Sequence, residues 1–200
     1  MLQSFRRAWL HRQPNWQAVD LSRPAPVTIL GLDLSLTASA AVAVPLDWDG
    51  DWSRVRSLVV GEKLRREASD AERARRTETI AARIVAFARS TGATRAFIEG
   101  YAYGLKTSAH SLGELGGVVR LELVRAGFEL TTVPMQTARK LLLGRCPRQG
   151  AKVAVAETLK AAGARFESLD ECDAMAAANW GLSELGAYCF GQTLTSALFQ

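Results

Sequence analysis

Asp33 closes the apolar run TILGLD, and the chain then continues with LSLTASAAVAV, small and apolar again. A buried strand seldom carries an unpaired carboxylate, because stripping its water is costly unless something compensates. Asp33 could serve a hairpin turn with Leu34 to Leu36 at its tip, or a metal or phosphate site. Two further places supply carboxylates. Glu99 closes TRAFIEG, and Asp170 and Asp173 stand three residues apart in SLDECDAMAAA, a spacing that puts both on one helix face. If the strands ending at Asp33 and Glu99 are adjacent and parallel, their carboxylates lie side by side where α/β sheets form sites. Their mutual repulsion makes a divalent cation the natural counter-charge. Two such ions about 3.5–4 Å apart activate water and stabilise the leaving oxygen in phosphodiester hydrolysis. A plainer account covers part of the set. Ser168 and Glu171 form a capping box, and the macrodipole favours acids in a first helical turn. That explains Asp170 and Glu171 better than Asp173, which precedes an alanine-rich stretch suited to close packing.

The elements that must position these residues follow from periodicity and turn chemistry. Strands are predicted over 27–33, 37–44, 57–62, 94–100 and 128–133. A long helix is predicted from Ser69 to Ser90, with Ile80, Ile84, Phe87 and Ala88 at helical spacing and Gly92 ending it. Further helices are predicted over 108–127, about 135–142, 151–162 and 169–188. An opening antiparallel meander followed by β-α-β crossovers gives an α/β fold, a mixed five-stranded sheet flanked by helices on both faces. The prolines of SRPAP exclude regular structure at 22–26, so residues 1–26 read as an N-terminal extension, 27–190 as one domain and 191–200 as a C-terminal tail.

The 200 residues carry a net charge of +5, which favours anionic partners such as nucleic acid. Arg139, Lys140, Arg145, Arg148 and Lys152 fall in a window between Glu129 and Glu157 that contains no acid, a pattern suited to phosphate contacts, although surface cations are ordinarily just solvated. Three cysteines, Cys146, Cys172 and Cys189, without C-x-x-C pairing suit a reduced intracellular protein, cytoplasmic or nucleoid-associated. With only His11 and His110 besides, a structural zinc site is not expected. No apolar run reaches the roughly 18 residues of a membrane span, so no membrane is expected as partner. The arginine-rich first twenty residues lack the apolar core of a secretory signal and leave organellar targeting open.

Together, Asp33 in ILGLDLSLTASA, Glu99 in AFIEG, and Asp170 with Asp173 in DECDAMAAA resemble the RuvC Holliday-junction resolvases of the ribonuclease H-like superfamily. The intervening KTSAHSLGELGGVVRLELVRAGFELTTVPMQTARKLLLGRCPRQGAKVAVAETL is similar to the RuvC segment from its central helix to its basic patch, and the resemblance covers about residues 27 to 185. It implies a ribonuclease H-like fold and a homodimeric, Mg²⁺-dependent crossover junction endodeoxyribonuclease, with two ions per site and Mn²⁺ as a substitute. Such an enzyme nicks two strands of a four-way junction symmetrically, in host cytoplasm if the protein is viral. Asp33, Glu99, Asp170 and Asp173 match the catalytic, metal-binding carboxylates. Lys140 and Lys152 match the two functional lysines, and Leu112, Leu115, Val119 and Leu123 match part of the dimer surface. The family's aromatic wedge falls at Ala102, so Tyr101 or Tyr103 beside it is expected to contact DNA instead. The first 26 residues have no counterpart, and Leu34-Ser35 replaces the glycine common after the aspartate. These departures fit a divergent, viral branch.

Other readings of the same residues are narrower. GRCPRQGAK has five residues between its glycines and no Gly-Lys-Ser/Thr, which rejects a P-loop. An ATP-dependent phosphotransferase of the actin and sugar-kinase type needs two such domains, and this chain has length for one. A non-catalytic nucleic-acid-binding module gains nothing from clustered negative charge. A nuclease of the same fold acting on flaps or RNA–DNA hybrids needs the same site and is separated by substrate alone.

Overall fold

The computed structural model describes residues 27–100, 109–187 and 189–190. Five strands, β1 (Thr28–Asp33), β2 (Ser39–Pro45), β3 (Arg56–Val60), β4 (Ala93–Glu99) and β5 (Glu129–Val133), form one sheet in the order β3-β2-β1-β4-β5. β1, β2 and β3 pair antiparallel, whereas β4 runs parallel to both β1 and β5. Five α-helices are described: α1 (Asp70–Ser90), α2 (Ala109–Arg125), α3 (Met135–Leu143), α4 (Ala151–Ala161) and α5 (Leu169–Glu184). The sequence-based boundaries hold to within a few residues, and the fold is the expected mixed α/β sandwich. A short 3₁₀ helix at Trp52–Arg54 is an addition, started by the Asp51 side chain accepting from the Ser53 amide.

Alternation along the strands sorts the core into two layers. Ile29, Val42, Val44 and Phe97 face α3, α4 and α5, with Met135, Leu142, Val155, Leu159 and Met175. Leu30, Leu32, Ala43 and Ile98 face the other way, against Ile80 and Ile84 of α1 and Leu115, Val119 and Leu123 of α2. This second layer corrects one expectation. Leu115, Val119 and Leu123 have no exposed surface, so the sheet takes the stripe assigned to a dimer partner. Leu112 is only partly buried. The apolar residues that α2 leaves exposed are Leu121 and Val124, at 48% and 58%.

α5 lies against β1, β2 and β4 on one side and beneath α3 and α4 on the other. Its buried residues therefore run almost all round the helix, Cys172 to Asn179 without a break. Small residues permit the approach. A Cβ on Gly31 of β1 would stand 2.0 Å from the Ala174 carbonyl oxygen and 2.5 Å from the Ala178 amide nitrogen, and one on Gly181 would stand 2.5 Å from the Phe97 ring. The helix begins with the expected capping box: Ser168 accepts from the Glu171 amide, and the Glu171 carboxylate accepts from the Ser168 amide. Because backbone atoms cannot turn aside as a side chain can, Gly31→Ala should destabilise the protein by roughly 3 kcal/mol or more. A urea unfolding midpoint no different from that of the native sequence would contradict this close contact.

Candidate active site

The C-terminal ends of β1 and β4 lie side by side because the two strands pair in parallel, Leu32 beside Ile98. Asp33 and Glu99 are the next residues on each. Arg120 of α2 donates to the Glu99 carbonyl oxygen at 2.8 Å and ties this strand end to the helix beside it. α5 brings in the other two acids. Asp170 stands in its first turn and Asp173 one turn further, fully buried under the alanines.

Two cations enter the cluster from α3 and α4. The Lys152 ammonium donates to Asp33 Oδ2 at 2.8 Å and to Asp170 Oδ1 at 3.0 Å, and lies 3.0 Å from Asp173 Oδ2. Arg139 meets Asp173 with a fork, Nε to Oδ1 at 2.9 Å and Nη2 to Oδ2 at 2.7 Å. Such bidentate, charge-assisted pairs are strong and fix geometry. Burial pushes the Asp33 pKa up to about 7; the Lys152 hydrogen bond and charge oppose that rise, and the neighbouring Glu99 adds to it. Burial acts to lower the Lys152 pKa, but the hydrogen bonds and charges of Asp33 and Asp173 outweigh it and leave the ammonium above its ordinary value. The hydrogen bond to Asp173 likewise raises the Arg139 pKa. Cys172, next to Asp173, is no nucleophile: burial and the charges of Glu171 and Asp173 push its thiol up to about 11.

Asp33, Glu99, Asp170, Asp173 and Lys152 therefore come together as the sequence suggests. Glu171 does not join them. Its carboxylate caps α5 and accepts from Ser57 Oγ of β3 at 2.7 Å. Of the two lysines singled out by the sequence, Lys152 stands in the cluster and Lys140 outside it. The site's second cation is Arg139, which the sequence placed among the DNA contacts, whereas Lys140 is exposed and points into a neighbouring depression. A signal for this was available. Met135, Ala138 and Leu142 form the buried stripe of α3, and Arg139 is the i+4 member of that stripe. The depression, about 560 Å³, is lined by Arg139, Lys140, Arg145 and Arg148 among others. Tyr101 and Tyr103 lie outside the described residues.

The donor set suits a hard cation, since every acid in it offers oxygen. As arranged, however, no group of three or more His, Cys, Asp or Glu side chains among the described residues is spaced to hold a metal ion. The Lys152 ammonium stands where three of the carboxylates converge. Lys152 is 39% exposed on a flexible stem. None of the described helices is long and apolar enough to cross a membrane.

No protein-family model and no curated relative matches the chain. Solved structures do. Thermus thermophilus RuvC superposes with a TM-score of 0.55 over 80% of this chain and 98% of its own, at 18% identity. The fold is that of RuvC. The T. thermophilus RuvC in complex with Holliday junction substrate gives the same TM-score over 80% of this chain and 96% of its own, at 19% identity. The strand order, the parallel β1–β4 pair and the placement of α5 described above are thus the RuvC-like frame on which this chain's own charged cluster is built.

The raised Asp33 pKa has a consequence for stability. Between its ordinary value of 3.8 and about 7 the folded chain holds the proton more tightly than the unfolded chain. The contribution of Asp33 to stability therefore falls as pH rises through that window and is most unfavourable above it. In metal-free protein, Asp33→Asn should raise Tm at pH 8, and the difference should vanish near pH 4. A variant that melts lower than the native protein at pH 8 would contradict the burial argument.

Proposed function

We propose that this protein is a divalent-metal-dependent endonuclease of branched DNA, one that resolves four-way junctions by paired, symmetric phosphodiester hydrolysis. The observation that carries the reading is the meeting of four carboxylates with two cations at the end of a RuvC-like sheet, beside a depression lined with arginine and lysine. Asp33, Glu99, Asp170 and Asp173 would hold Mg²⁺, or Mn²⁺ in its place. A divalent cation there supplies Lewis acidity for hydrolysis and counter-charge for the phosphate. The chain's own residues do the rest. Lys140, Arg145 and Arg148 line the depression and are suited to hold the DNA backbone, which positions the duplex without reading its sequence. Lys152, the more mobile cation of the site, can turn from Asp170 toward a phosphate at the mouth and stabilise charge that develops there. Arg139 stays anchored on Asp173 and keeps a fixed positive charge behind the scissile group. Two related nicks require two related sites, so the active species would be a homodimer, and the buried stripe of α2 leaves Leu121 and Val124 rather than Leu115 for the contact.

The test is to incubate purified protein with Mg²⁺ and mobile four-way junctions, flaps, RNA–DNA hybrids and plain duplex, then map the cuts. Paired nicks at symmetric positions of the junction are expected. Preferential cutting of flaps or hybrids would keep the nuclease and replace its substrate, and no cutting of any of them would defeat the reading. Lys152→Ala should lower single-turnover cleavage about 10²-fold while junction binding in Ca²⁺ changes little. Arg145→Ala and Arg148→Ala should do the reverse, weakening binding and each reducing its salt dependence by about one counterion. Equal losses of binding and cleavage in Lys152→Ala would make that lysine a phosphate anchor only.

A further inference from the structure

β1 stays paired up to its last residue, Asp33 opposite Ala40 of β2, so the chain reverses within residues 34–38, directly beyond the acid cluster. This turn contains no glycine, and among the described residues only glycines have a positive φ. A side chain closes it instead. Ser39 Oγ donates to the Ser35 carbonyl at 2.5 Å and accepts from the Ser35 amide at 3.0 Å. One hydroxyl thus satisfies both backbone groups of the residue two beyond Asp33. Ser39 has no exposed surface, and nothing in the cluster accounts for a polar side chain buried there. The other side of the turn is seated on the chain that follows β3. The Leu36 carbonyl accepts from the Glu62 amide at 3.1 Å, and a Cβ on Gly61 would stand 2.2 Å from the Thr37 carbonyl carbon. Leu34 and Leu36 pack against the core layer beneath α1 and α2.

We infer that Ser39 is a positioning residue for Asp33: its hydroxyl locks the turn and thereby aims the Asp33 carboxylate into the cluster. Asp33 is 4% exposed, and the Lys152 ammonium that it meets at 2.8 Å is carried by a different element, α4. That contact depends on how β1 ends, and a misplacement of about 1 Å in a reacting site can cost about 10²-fold in rate. Both bonds of the Ser39 hydroxyl lie within the turn and not in the β1–β2 ladder, so losing them frees the turn while the sheet stays paired. The effect on cleavage rests on the nuclease reading. The effect on where Asp33 stands rests on the turn alone.

Three variants of the full-length protein test it. Ser39→Ala removes the hydroxyl. Ser39→Thr and Ser39→Val have nearly the same shape as each other and differ in whether the hydroxyl is kept, so any cost of extra volume cancels between them. Single-turnover cleavage of junctions in Mg²⁺, at a temperature where circular dichroism shows every variant folded, should be about tenfold or more slower for Ser39→Ala than for the native protein, and for Ser39→Val than for Ser39→Thr. Junction binding in Ca²⁺ should be the same for all, because the turn supplies no positive charge. In a crystal structure of metal-free Ser39→Ala, Asp33 should have left hydrogen-bond distance of Lys152. A serine that only stabilises the fold would lower Tm and leave the rate of folded protein unchanged. Equal rates for Ser39→Thr and Ser39→Val, or an Asp33 that has not moved in Ser39→Ala, would therefore overturn the inference. If the native protein cuts no junction, the nuclease reading fails, and the position of Asp33 in the Ser39→Ala crystal alone decides the positioning role.

Discussion

Four carboxylates gathered at the end of one sheet repel one another, and a chain that folds this way must bring positive charge in with them. Here the charge comes from inside the fold. Lys152 sits among Asp33, Asp170 and Asp173, and Arg139 grips Asp173 from the other side. The compensation is uneven. Asp173 is held with both oxygens, while Asp33 remains under enough strain from burial and from Glu99 that its pKa rises to about 7. The site is thus stable enough to fold and still short of positive charge, a condition suited to drawing in a cation from solution together with an anionic substrate.

The close approach of α5 to β1 and β4 makes this cluster possible. Gly31 and Gly181 remove the side chains that would hold the helix away, and the alanines between them let backbone come near backbone. The same packing excludes water from Asp173, which is why its partner must be a fork of two hydrogen bonds and not a loosely placed charge. The capping box at Ser168 and Glu171 fixes where the helix starts, and so where Asp170 emerges toward Lys152. Packing, capping and charge are one arrangement seen at three scales.

Much of this was legible in the sequence because it depends on local pattern. Asp33 and Glu99 could be placed at strand ends because each closes an apolar run, and the order of elements is enough to make those strands neighbours. Two things were not legible for a shared reason: periodicity tells which residues share a face, but not what that face meets. Leu115, Val119 and Leu123 form a clear stripe on α2, and a stripe looks the same whether a sheet or a second subunit covers it; the sheet does. On α3, Arg139 and Lys140 are adjacent and equally charged, yet about 100° apart around the helix, so one enters the core-facing stripe and the other the solvent. The partner of Asp173 could have been found from the Met135, Ala138 and Leu142 stripe. That its fork would fill both oxygens could not, since this depends on the depth to which α5 is buried.

The central claim is that this cluster is a cation site whose positive side chains are part of its construction. Anomalous diffraction from crystals of the protein soaked in Mn²⁺ tests it most directly. The account predicts a peak bonded to carboxylate oxygens of the cluster at the ends of β1 and β4, with Lys152 turned aside. No peak at the ends of β1 and β4 would contradict it.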